Sequence, residues 1–152
     1  MSTPVPLTAP SMPSRRHLPL GIALAAVAWN AFGCFQWAQS LRSSYGALRQ
    51  MGLDHDAATT LAGLPVWIDV AFGVGVIGGL AGSVLLLARR RLAQPVFVAS
   101  LVGYCVLFVG DVTEGVFAAL GASQVVVLTF VVAIAVGLVA HSRALARRGL
   151  LA

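Results

Sequence analysis

The side chains best suited to chemistry in this sequence are carboxylates that interrupt long apolar runs. The chain contains five acidic residues, and three of them, Asp69, Asp111 and Glu114, lie within or at the edge of such runs. Asp69 precedes Arg90 by 21 residues, and Asp111 follows Arg90 by 21 residues. At about 1.5 Å per helical residue, both acids are expected about 30 Å from that arginine. The spacing therefore predicts that the two carboxylates lie at one level of a helical bundle.

Other polar residues are expected at the same level. Glu114 follows Asp111 by three residues, a spacing that shares a helix face if the helix continues. Carboxylates placed together in a low-dielectric region favour binding of a proton or a cation. The alternative is a solvated rim, in which each acid reaches water or lipid headgroups at the interface. The predicted rim consists of Gln36, Asp69, Asp111 and Glu114, with Arg42 and His55 as candidate covers.

The elements that must position this rim are membrane-spanning helices. The 152 residues are 59% hydrophobic and 10% charged, whereas a soluble domain usually has about a quarter charged residues. Four apolar stretches are long enough to cross a bilayer, which needs about 20 helical residues. We therefore predict an all-α integral membrane protein, a four-transmembrane-helix bundle with spans at about 18–41, 66–88, 92–112 and 121–140.

The segments outside the spans are short. Residues 1–17 are rich in proline and predict a disordered tail, and residues 141–152 form a basic tail. Residues 42–64 are the longest polar segment and are expected along the membrane interface, with Asp54 capping a short helix. The apolar run from Leu18 continues far beyond Ala26-Val27-Ala28, which favours a retained span over a cleaved signal.

Arginine predicts the orientation of the bundle. Eight of the ten arginines flank one side of the predicted spans, and only Arg42 and Arg49 flank the other. Cytoplasmic segments carry an excess of basic residues, so both the N- and C-termini are expected to be cytoplasmic. An even number of spans agrees with this orientation. The arginines sit beside apolar stretches and form no basic face, so we expect no nucleic-acid binding.

Small and amide residues within the spans point to helix packing. Asn30 is expected near mid-membrane, where its amide needs a partner: an interhelical hydrogen bond or, alternatively, a substrate. The second span has rows of small residues that let helices approach closely. Such rows favour packing within the bundle, with a homodimer seam as the alternative. The rows consist of Gly75, Gly79 and Ser83, and of Gly78 and Gly82.

No catalytic or metal-binding motif is visible in the sequence. The three histidines are scattered over both predicted sides of the membrane, so we expect no metal site and no cofactor. Cys34 and Cys105 are expected to be small buried hydrophobes, with a disulfide between two spans as the alternative. The chain is therefore not expected to be an enzyme.

Three segments resemble a known family. WNAFGCFQW, LPVWIDVAFGVGVIGGLAGSVLLLARRRLAQPVF and SLVGYCVLF are similar to small bacterial four-span membrane proteins that are often labelled sugar transporters. The resemblance covers about residues 18–140. It implies a multi-pass protein of the bacterial inner membrane. Members often carry Asp where this chain has Gln36, a departure that removes one carboxylate from the predicted rim.

Two functions fit these observations. The first is transport of a small solute or cation through the outer carboxylate site, in a monomer or a dimer. The second is a non-enzymatic subunit or scaffold whose glycine rows dock another membrane protein. In both cases the lipid bilayer is the immediate surrounding, and the ligand or partner is not encoded in any motif.

Overall fold

The computed structural model describes residues 20–151, which are almost entirely helical and contain no strand. The predicted tail at 1–17, with Arg15, Arg16 and the first residues of the first span, lies outside the described residues. Seven helices form within the described range: α1 Leu20–Ser40, α2 Tyr45–Gln50, α3 His55–Ala62, α4 Val66–Leu87, α5 Ala93–Thr113, α6 Val116–Leu120 and α7 Ala122–Arg147.

Four of these helices, α1, α4, α5 and α7, are long and apolar enough to cross a membrane. The prediction of four such helices is therefore confirmed. The last one extends past the expected end of the fourth span at residue 140 and continues to Arg147, because the Arg143 region still supports helical hydrogen bonds. Many of their outward side chains are large and apolar, among them Val70, Ile77 and Val102.

The four long helices form an open row rather than a closed ring. α1 packs against α4, α4 against α5, and α5 against α7, whereas α1 and α7 share no extensive packing. Trp29 of α1 does reach α7, where its ring meets Phe130 edge to face at 5.9 Å between centroids. The faces of α4 and α5 thus form the back of a cleft whose sides are α1 and α7.

Glycine brings α4 close to its neighbours. A Cβ built on Gly75 would lie 2.7 Å from the Tyr104 ring, and one on Gly82 would lie 2.8 Å from the Phe97 ring. A Cβ on Gly78 would lie 3.1 Å from Ser100 of α5. These distances are too short for a larger residue without displacement. The structure therefore places one side of the glycine rows against α5.

The remaining small residues of these rows face α1 or the helix itself. Gly79 lies directly under the Asn30 side chain of α1, and a Cβ at that position would overlap it. Ser83 is fully buried and donates a hydrogen bond to the Gly79 carbonyl at 2.7 Å. Both rows thus make close contacts within the chain, and four of their five residues are buried, whereas Gly78 is partly exposed.

The segment 42–64 contains two helices where the sequence suggested one. Ser44 caps α2 and Asp54 caps α3, each accepting a hydrogen bond from a backbone N–H in the first turn. The predicted capping role of Asp54 is confirmed, with an Oδ1 to Ala57 N distance of 2.7 Å. α3 packs against α6, and α6 against α5 and α7. These short helices lie together at one end of the row, called here the cavity end.

The opposite end, called here the arginine end, carries residues 88–92 and 147–151. Two helices stop there with the same hydrogen-bond pattern: Arg90 N donates to Leu85 O at 2.9 Å, and Leu150 N donates to Leu145 O at 3.1 Å. This pattern needs one residue in the left-handed conformation. That residue is Gly149 after α7 but Arg89 after α4, with φ of 67° and 56°.

The cysteines differ from expectation. Cys105 is exposed and Cys34 is half-buried, and both are free thiols. The prediction that both are buried is therefore wrong, and the alternative disulfide is not formed. Cys105 points away from the α4 contact of its own helix, because Gly103 and Tyr104 occupy that face.

Candidate functional site

A cavity of about 340 Å³ lies between α1 and α7 at the cavity end of the row. Its size is within the range of small-molecule sites, which is about 300–1,000 Å³. Every long helix contributes to it, because α1 and α5 end there and α4 and α7 begin there. Leu61, Leu64 and Val116, from the α3–α4 segment and α6, also line it.

Asp69 and Asp111 both line this cavity. Asp69 is in the first turn of α4, where the helix dipole favours a negative charge. Asp111 is near the end of α5, where the dipole opposes a negative charge. The cavity thus brings together two carboxylates from adjacent antiparallel helices in opposite dipole environments.

Asp111 is the more enclosed of the two carboxylates, with 3% of its surface exposed. Its Oδ2 accepts a hydrogen bond from Gln124 Nε2 of α7 at 3.0 Å. The described residues supply no donor to Oδ1, and that atom is not sealed inside the protein, since no fully buried polar side-chain atom lacks a partner within the described range. The free oxygen of Asp111 therefore reaches the open space of the cavity.

Asp69 is half-buried and held through its backbone. Trp37 Nε1 donates to the Asp69 carbonyl at 2.8 Å, a hydrogen bond between α1 and α4. Ser40 Oγ lies 3.5 Å from Asp69 Oδ1, at the outer limit of hydrogen bonding. Within residues 20–151 its carboxylate therefore has one weak donor and is left available to the cavity.

The lining has no compensating cation. Among the lining residues, all of which belong to the described range 20–151, none is Arg, Lys or His. Arg42 and His55, the expected covers, lie elsewhere: Arg42 is exposed, and His55 Nδ1 is 2.8 Å from the Tyr45 hydroxyl on the surface of α2 and α3. Apolar residues take their place above the cavity. The two carboxylates thus line one cavity in which no basic side chain of the described residues accompanies them.

The rest of the lining is polar near the two carboxylates and apolar toward the middle of the bundle. Gln36, Ser40 and Gln124 add amide and hydroxyl groups beside the carboxylates. Aromatic rings follow toward the middle of the bundle, where Trp29 and Tyr104 are the deepest lining residues along their helices. The aromatic lining consists of Trp29, Phe32, Phe72 and Tyr104.

Two of the singled-out polar residues lie outside this cavity. Glu114 is exposed, because α5 ends at Thr113 and Gly115 adopts a φ of 75°, so the helix face that would carry it is not continued. Asn30 is buried one level deeper, where Nδ2 donates to Ala26 O of its own helix at 2.8 Å. The predicted hydrogen bond from Asn30 to another helix is therefore wrong, because the amide is satisfied by the backbone one turn earlier in α1. Asn30 borders a separate void of about 10 Å³, room for about one water molecule, that shares Trp29 and Tyr104 with the main cavity.

Gln124 is the site residue that sequence reasoning missed. It lies near the start of α7, in the stretch predicted as the fourth span at 121–140, and nothing in its spacing connects it with Asp111. A general signal does exist, since an amide at the same predicted level as a carboxylate is a natural hydrogen-bond donor. Within residues 20–151, no three His, Cys, Asp or Glu side chains converge as metal ligands would.

Comparison with known proteins returned no match: no family model, no curated protein and no solved structure is similar to this chain.

Proposed function

We propose that this chain is a multi-pass membrane protein that binds and transports a cation through the cavity between α1 and α7. The supporting observation is the pairing of Asp69 and Asp111 in the lining of one cavity that has no basic lining residue in the described range. A carboxylate held in a protein cavity without a positively charged partner is costly, so such a site is completed by a cation or a proton. The proposed role is binding and transport and not catalysis.

The proposed orientation follows the arginines. Arg89, Arg90 and Arg91 lie at the arginine end with Arg147 and Arg148, and Arg42 and Arg49 lie at the cavity end. By the positive-inside rule the arginine end is cytoplasmic, in a bacterial inner membrane, and the cavity is then on the outer side. Both termini are proposed to be cytoplasmic.

The closed part of the bundle is consistent with a carrier. Below the cavity, Asn30 and Ser100 are buried and hydrogen-bonded, and below them an apolar cluster that includes Leu86 and Phe97 fills the arginine end. A cation in the cavity is therefore separated from the arginine end by packed side chains. Transport requires those layers to open in a second state, in which the cation is released on the other side.

The alternative, a partner or scaffold subunit, has less support. Its main argument was the glycine rows, and these are filled by Asn30, Phe97, Ser100 and Tyr104 of the same chain. A cation site with an open cavity is a more specific feature than an apolar exterior, which every membrane protein has. We therefore favour transport over docking.

Cation flux into proteoliposomes tests the proposal. We expect radiolabelled sodium, tetramethylammonium or ethidium to enter faster than into protein-free vesicles, and Asp111→Asn to reduce that flux about tenfold, a loss of about 1.4 kcal/mol. Asn has the same shape, and its oxygen can still accept the hydrogen bond from Gln124. Asp69→Asn is the second cavity variant, in case the first does not fold.

Glu114→Gln is the matched control, since it removes an acid from outside the cavity at the same end of α5. Its flux should equal that of the unmodified protein. If none of the three cations moves faster than in empty vesicles, or if both Asn variants transport normally, the proposed function is wrong.

A further inference from the structure

The cavity opens to the side of the bundle rather than to its end. Phe32 of α1 and Val127 of α7 line the cavity and are each 58% exposed. At the end of the bundle the lining residue Val116 is 2% exposed, and Leu61 and Leu64 are partly buried above the site. The mouth is therefore the gap between α1 and α7, where these helices share no extensive packing.

Most of the exposed side chains around that mouth are apolar, and Gln36 is the one exposed polar residue of the lining. Phe35 of α1 and Phe130 of α7 are exposed beside it, each at 57% of its surface. In the proposed membrane orientation, this gap faces the acyl chains of the outer leaflet and not water. A hydrated inorganic ion has no favourable path through such a mouth, because crossing hydrocarbon costs many kcal/mol for a small ion.

The chemistry inside the mouth combines two features. Near the end are two carboxylates without a basic partner, and deeper in are the rings of Trp29, Phe72 and Tyr104, with the ring of Phe32 at the mouth itself. A ligand cation gains from carboxylates by charge and from aromatic faces by the cation–π interaction. Rings and carboxylates together select a positive charge carried on an apolar body.

We propose that the ligand is an amphipathic organic cation, an ammonium or phosphonium group on an apolar body, that passes from the lipid layer into the cavity between Phe32 and Val127. The inference rests on the proposed function and specifies its substrate class and its route. The same ammonium chemistry is available from two sources: a free lipophilic cation dissolved in the leaflet, or the headgroup of an aminophospholipid.

Binding of tritiated tetraphenylphosphonium to the purified protein in detergent tests the substrate class. We expect saturable binding at least tenfold tighter than that of tetramethylammonium, which has the charge without the apolar body. Asp111→Asn should weaken tetraphenylphosphonium binding at least tenfold, and Asp69→Asn is the second variant. Glu114→Gln should leave it unchanged.

The route is tested by filling the mouth. Val127→Trp adds a large ring at the lining and should weaken binding or slow association at least fivefold. Val126→Trp is its matched control, because the neighbouring Val126 is also exposed, at 67% against 58% for Val127, but does not line the cavity. The two variants carry the same new side chain on the same turn of α7, so a difference between them reports the mouth itself.

Lipid composition separates the two sources. At one fixed fraction of phosphatidylglycerol, so that the surface charge is constant, tetraphenylphosphonium affinity at least tenfold lower with phosphatidylethanolamine than with a monoglucosyl diacylglycerol as the neutral lipid of the nanodisc would identify the lipid headgroup as the occupant. Equal affinity in both would identify a free cation. Both results support an amphipathic ammonium or phosphonium ligand.

The remaining outcomes distinguish the two proposals. If tetramethylammonium or sodium binds as tightly, with the same dependence on Asp111, and Val127→Trp behaves like Val126→Trp, the lateral route and the apolar body are wrong while cation binding stands. If no cation binds in a manner that depends on either carboxylate, the proposed function fails as well.

Discussion

The two ends of the molecule differ in how closely their side chains pack. At the arginine end, Phe97, Leu86 and Leu151 are each no more than 2% exposed, and Arg91 Nε donates to Leu151 O at 3.1 Å. At the cavity end, the same four long helices separate around an open volume of about 340 Å³. The comparison indicates that the packed side chains at the arginine end supply most of the stability of the bundle. The cavity end can therefore contain an open cavity lined by two carboxylates.

The largest expected effect comes from removing the ring of Phe97 at the arginine end. Phe97→Ala would leave a void against Gly82, and buried Phe to Ala changes cost about 3–5 kcal/mol. Phe32→Ala at the cavity mouth removes an exposed ring and should cost no more than about 0.5 kcal/mol. Denaturant unfolding in mixed micelles measures both, and equal losses would contradict the assignment of stability to one end.

A smaller effect is expected at the contact between α1 and α4. Gly79→Ala forces a methyl group into the Asn30 side chain, and such overpacking costs about 1–3 kcal/mol. Gly137→Ala is the matched control, since a Cβ there meets no atom within 4 Å and helical Ala is better tolerated than Gly. Thermal midpoints in detergent should fall for the first variant and hold or rise for the second. A neutral Gly79→Ala would show that this contact is looser than the structure indicates.

The smallest expected effect on stability concerns the turns that follow α4 and α7 at the arginine end. Arg89 holds a left-handed conformation that disfavours a side chain by about 1–2 kcal/mol, partly offset by the unfolded-state freedom of Gly. Arg89→Gly should therefore stabilise the bundle by about 0.5–1 kcal/mol. Gly149→Ala, the same position in the turn after α7, should destabilise it by a similar amount. Both shifts are read from unfolding curves, and the same sign for both would refute the shared turn geometry.

The long helices could be predicted from the sequence because their signal is simple. About 20 apolar residues bounded by arginine indicate one helix, whatever it packs against. The shared level of Asp69 and Asp111 was also predictable, since helical rise is constant and both are 21 residues from Arg90. The height of a residue along a helix follows from the number of residues that separate it from a reference position.

The rotation of each helix about its axis and the positions of the helix ends depend on packing, so residue counting could not predict them. Glu114 is outside the cavity because α5 ends before it, and Gln124 is inside because α7 turns it toward Asp111. The division of segment 42–64 into two helices depends on caps at Ser44 and Asp54, of which only the second was recognised. The cavity itself follows from the sparse packing between α1 and α7, which no local sequence pattern encodes.

The positions of the three tryptophans make the molecule its own optical reporter. Trp29 forms the floor of the cavity, Trp37 donates to the backbone of Asp69, and Trp67 lies on the exterior at 42% exposure. Indole emission responds to nearby charge and to hydrogen bonding, so a ligand in the cavity would change the fluorescence of the first two and leave the third nearly constant. With Trp67 replaced by Phe, occupancy of the cavity becomes visible as a spectral shift without any attached dye.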